Sequence, residues 1–86
     1  MKPTITYSEF VTEDGADLEV KGEVFDTPIK RIPDSGEEFY TRVQISNVET
    51  KEPINNVFFK LENDEDTLKI LVNEIKNDPK YLKKGL

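Results

Sequence analysis

Carboxylates are the one kind of side chain here plentiful enough to do chemistry. The 86-residue chain has 18 acidic residues against 12 basic ones and contains neither histidine nor cysteine. Without cysteine there is no thiolate nucleophile, thiolate metal site or disulfide. Without histidine the side chain whose ordinary pKa lies nearest neutrality is missing, together with the commonest transition-metal ligand. Acid/base catalysis would therefore fall to pairs of carboxyl groups in different environments, one of them desolvated enough to stay protonated. The adjacent pairs are Glu13-Asp14, Glu37-Glu38 and the run Asp64-Glu65-Asp66. All lie where a turn or a helix start is expected, and water solvates both members there. The expectation is a protein that is not an enzyme.

Asn63 to Asp66 also line up four oxygen donors, as a calcium loop would. The Asp-x-Asp-x-Asp-Gly pattern with its distal glutamate is missing, however, and helix capping accounts for the same residues. No glycine-rich phosphate loop occurs. No cofactor or metal is expected.

What remains is surface chemistry. The net charge is −6, and it is unevenly spread: residues 1 to 66 hold 16 acidic and 7 basic residues, and residues 67 to 86 hold 2 and 5. An acidic field of this kind repels nucleic acid and membrane headgroups and attracts a basic protein surface. Carboxylates at i and i+2 or i+4 of a strand recur at about 6.7 or 13 Å, commensurate with charges about 3.4 Å apart along one DNA strand. Glu19 and Glu23, with Glu9, Glu13, Asp14 and Asp17 around the first turn, are the candidate partner-binding residues. The expected function is a small acidic interaction module that occupies a basic nucleic-acid-binding surface on another protein. Compact inhibitors deployed by viruses and mobile elements against nucleases and defence complexes are the analogy. The alternative is a single-strand nucleic-acid platform formed by Lys21, Tyr40, Arg42, Phe58 and Lys60 on an open sheet face. Against it, the two aromatics could instead form a cross-strand pair, or be covered by a loop or a second subunit.

Positioning these residues falls to five elements. Thr4 to Val11 is rich in β-branched and aromatic residues, with Ile5, Tyr7 and Val11 on one parity and Phe10 on the other, which suggests an edge strand or a bulge. Asp14-Gly15 is a hairpin signal. Asp17 to Phe25 alternates, with Leu18, Val20 and Val24 inward and Glu19, Lys21 and Glu23 outward. Residues 26 to 38, with two prolines and a Pro-Asp-Ser-Gly turn, read as a long connection pinned by Ile29 and Ile32. Phe39 to Val48 is a strand with Phe39, Val43 and Ile45 inward and Tyr40, Arg42, Gln44 and Ser46 outward. After a turn over Glu49 to Pro53, Ile54 to Leu61 points Val57, Phe59 and Leu61 inward. Asn63 to Tyr81 reads as a helix: Leu68, Leu71, Val72 and Ile75 form one stripe, Asn63 or Asp64 caps it, and Pro79 stops it.

The fold expected is α+β: a four-stranded, mainly antiparallel sheet in the order β-β-β-β-α, one amphipathic helix packed on one face, and residues 1 to 86 as a single domain. The basic tail, 79 to 86, either adds a turn in which Tyr81 and Leu82 cover the sheet edge or stays loose. A domain this small buries only about 60 to 65% of its unfolded surface, so a homodimer or a tight partner would help it. No run approaches the 18 apolar residues of a membrane span, and Lys2 begins no leader, which makes the cytoplasm the expected location. Ten lysines against two arginines point to an AT-rich, bacterial or viral source.

Overall fold

The alternating segments pair with their sequence neighbours, because each is joined to the next by a connection too short for a crossover. In the computed structural model, which describes residues 2–30, 36–61 and 64–83, β1 (Ile5–Glu13), β2 (Ala16–Lys30), β3 (Glu38–Asn47) and β4 (Pro53–Phe59) form one antiparallel sheet in chain order. The helices α1 (Glu65–Lys76) and α2 (Pro79–Leu82) follow. α1 packs on β1 and β2, and α2 lies against β4. This is the expected α+β meander with its C-terminal helix on one face.

Local chemistry explains the joints. Asp14 and Gly15 take φ of 52° and 79° between the paired residues Glu13 and Ala16. Two positive φ values in a two-residue loop match the right-handed twist of the strands. β1 then pairs with β2 without a bulge, so it is the edge strand that its irregular alternation left open. Asn47 organises the β3–β4 turn by accepting hydrogen bonds from the Glu49 and Thr50 N–H groups at 2.9 and 3.0 Å. Asp64 caps α1, accepting from the Thr67 N–H at 2.8 Å, and this bond holds its carboxyl below the usual aspartate range.

The core lies between the helices and one sheet face: Leu18, Val20 and Val24 of β2 and Val43 and Ile45 of β3 meet Leu68, Val72, Ile75 and Leu82. Gly22 occupies the middle of β2, facing α1. A Cβ there would lie 2.6 Å from Leu68 Cδ1 and 2.7 Å from Val72 Cγ2. The absence of a side chain is what lets helix and sheet approach.

Several expectations are corrected. β2 runs on to Lys30, with a register irregularity between Val24 and Ile29, so the first part of the supposed 26–38 loop is strand. Ile29 pairs with Phe39, whereas Ile32 and most of the Pro-Asp-Ser-Gly turn lie outside the described residues. Leu61 is 68% exposed, because β4 ends at Phe59 and the inward alternation ends with it. α1 ends at Lys76 under an Asn77 C-cap, and Pro79 starts α2 rather than stopping α1. Asp78 caps this last turn through the Lys80 N–H at 3.0 Å, and Pro79 fits there because a first-turn residue needs no N–H. Within the stripe Leu71 is only half-buried, while Leu68 and Val72 are wholly enclosed. Of the tail, Leu82 is buried and Tyr81 packs against the core; residues 84–86 lie outside the described set.

Candidate interaction surface

Strand alternation and register decide which acidic residues can act together. Residues opposite one another in an antiparallel pair share a face. Glu9 pairs with Val20 and therefore faces the helices. There Lys76 Nζ donates to its Oε1 at 2.7 Å, and the Tyr7 hydroxyl donates to its Oε2. The Lys76 hydrogen bond, helped by Tyr7, lowers the Glu9 pKa, and the same carboxylate raises that of Tyr7. Glu9 is thus tied to α1, on the opposite face from Glu19.

This network sets a pH dependence. A carboxylate with a depressed folded pKa stabilises the fold at pH above its unfolded value, about 4.3 for glutamate, and loses that contribution as pH falls through the folded pKa. The gap in melting temperature between the native chain and Glu9→Gln should therefore be widest near neutrality and close in acid. A gap that stays constant from about pH 7 to about pH 3, well below the unfolded glutamate value, would mean that the ion pair contributes nothing.

The other face carries no helix among the described residues. Its rows follow from the register: Thr6–Glu23–Arg42–Phe58, then Ser8–Lys21–Gln44–Asn56, then Phe10–Glu19–Ser46. In the first row Arg42 Nε and Nη2 both donate to Glu23 Oε1, at 3.1 and 2.6 Å, and the guanidinium lies 5.7 Å from the centre of the Phe25 ring. Glu23 is only 7% exposed. Its expected place in a solvated acidic array fails, because Arg42, directly opposite, claims the carboxylate.

Of the alternative platform residues, Arg42 is neutralised in this pair and Lys21 stands in the second row. Lys60 Nζ lies 5.8 Å from the Phe39 ring centre, and Phe39 and Phe58 pack with centroids 5.5 Å apart, tilted by 46°. Phe58 is half-buried and Tyr40 partly so. The aromatics are thus engaged partly with the chain itself.

Glu13, Asp14, Asp17 and Glu19 are brought to one end of the sheet. The meander places the β1–β2 hairpin beside the β3–β4 turn: the Val48 N–H donates to the Asp17 carbonyl at 2.9 Å. Glu49 and Glu52 of that turn join the group, with Lys51 among them and Lys83 lining a hollow with Glu13 and Asp14. Sequence reasoning missed Glu49 and Glu52, because nothing local says which turns become neighbours. It also missed Phe10, 62% exposed on the open face; its wrong parity in β1 was the signal that it does not belong to the core.

Asp64 is occupied as a cap, and Glu65 faces Lys69 at 3.5 Å. Among the described residues no group of three or more acidic side chains is arranged to hold a metal ion, and no helix is long and apolar enough to cross a membrane. The chain matches no protein-family model, no curated protein and no solved structure.

Proposed function

We propose that this protein is an acidic interaction module that works by occupying a basic surface on another macromolecule, with a nucleic-acid-binding protein as the target class. The observation that carries this is the clustering of Glu13, Asp14, Asp17, Glu49 and Glu52 at one end of the sheet, continued by Glu19 onto the open face. Two exposed turns brought side by side by the meander concentrate acidic charge at this end, which favours fast, electrostatically guided association. Asp17 and Glu19 stand about 6.7 Å apart along β2, the i, i+2 spacing of a strand.

The nucleic-acid platform is the weaker reading, since Glu23 takes the charge of Arg42 and the same face exposes Asp17 and Glu19. The test is capture of DNA- or RNA-binding proteins from a cell lysate, with release by salt and competition by nucleic acid. Reversing Asp14, Asp17 and Glu19 to lysine together should weaken capture by about tenfold, taking about 0.5 kcal/mol for each exposed contact charge. Capture indifferent to both salt and the reversal would overturn the proposal.

A further inference from the structure

The open face holds an arginine through a carboxylate and an aromatic ring at one end, and offers the same two groups at the other. In the first case Glu23 accepts both hydrogen bonds from Arg42 and the guanidinium lies against Phe25. Further along β2 on the same face, Glu19 stands directly opposite Phe10, with Asp17 diagonal to it. The residue facing Glu19 from β3 is Ser46 rather than an arginine. Phe10, Val11, Thr12, Asp17 and Val48 line a groove of about 340 Å³. Its ring is mostly exposed, and Thr12 Oγ1 fixes Asp17 by donating to Oδ1 at 2.8 Å.

We infer that this groove takes an arginine side chain of the basic partner, its guanidinium stacked on Phe10 and hydrogen-bonded to Asp17 or Glu19. This rests on the acidic-module reading and specifies its contact. Charge complementarity selects a cation: Asp17 lines the groove with no described lysine or arginine beside it, and around Phe10 the carboxylates of Asp17 and Glu19 outnumber the one cation, Lys21, on the other diagonal. Shape selects arginine over lysine, because a planar guanidinium stacks on a ring and presents a fork of donors to a carboxylate, whereas an ammonium is a compact, strongly hydrated point charge. The apolar side chain of Val48 suits the methylene stem.

The probes are a labelled arginine-rich peptide and the same peptide with lysine at every arginine, titrated by fluorescence anisotropy at about 50 mM salt, where exposed charges are weakly screened. The native chain should bind the arginine peptide more tightly than its lysine twin, by up to about threefold, because an ammonium also makes a cation–π contact and only the planar stacking and forked donors distinguish the two. Phe10→Ala and Phe10→Leu should both abolish this preference while leaving the salt-dependent binding of either peptide in place. Phe10→Leu keeps apolar bulk, so it separates stacking from simple hydrophobic contact; circular dichroism checks that both variants fold. Asp17→Asn should weaken the arginine peptide more than the lysine one. Equal binding of both peptides, unaffected at Phe10, would overturn the arginine groove and leave the acidic module standing. Binding of neither peptide would overturn both.

Discussion

Gly22→Val is expected to destabilise the fold by about 2 to 3 kcal/mol and to loosen α1 from the sheet. Two effects oppose each other. Glycine in a strand interior costs about 0.5 to 1 kcal/mol of backbone entropy, which a β-branched residue would recover. Against this, the first added carbon lies 2.6 Å from Leu68 Cδ1, 2.7 Å from Val72 Cγ2 and 3.0 Å from Leu68 Cγ. Leu68 and Val72 are wholly enclosed and have no exposed space to move into, so overpacking of about 3 kcal/mol wins. Urea denaturation measures the loss, and hydrogen exchange should show the α1 amides losing protection first. A valine variant as stable as the native chain would mean that α1 does not rest on Gly22.

Leu68→Ala should cost about 3 to 5 kcal/mol, more than any other single truncation in the helix. Leu68 is 0% exposed and belongs to the buried cluster that includes Leu18, Val20, Val24 and Val43. A domain of this length has only about 4 to 13 kcal/mol of stability in total, so the variant approaches unfolding. Leu71→Ala, at a half-buried position, should cost clearly less. If the two truncations cost the same, the stripe is not seated as described. The two sites also interact: in Gly22→Ala with Leu68→Ala, the new methyl fills part of the space the leucine leaves. The double variant should therefore be less destabilised than the sum of the singles by about 1 kcal/mol.

The same pair shows where sequence legibility ends. Leu68, Val72 and Ile75 announce a buried stripe by spacing alone, since the period of a helix depends only on its own backbone. That a glycine forty-three residues before the first helical residue, Glu65, must lie beneath that stripe is a property of the packed pair. Likewise, the sequence was enough to reveal four strands, the Asp14-Gly15 hairpin and a cap at Asn63 or Asp64, all consequences of alternation or of bonds spanning three residues or fewer. It was also enough to divide each strand into two faces.

Which side chains meet across strands was decided only by tertiary structure, because register and helix placement join residues far apart in the chain. Glu23 reads as an outward, solvated acid until Arg42, nineteen residues away, is set opposite it and removes it from the acidic surface. Glu9 shares the parity of Ile5, Tyr7 and Val11, which already sets it on their face, but that Lys76, sixty-seven residues on, meets it there is a product of the packed helix. Glu19 keeps its solvent-facing position because β3 presents Ser46 there. The charge of each carboxylate was fixed by composition. Its availability was fixed by the side chain that the fold placed across from it.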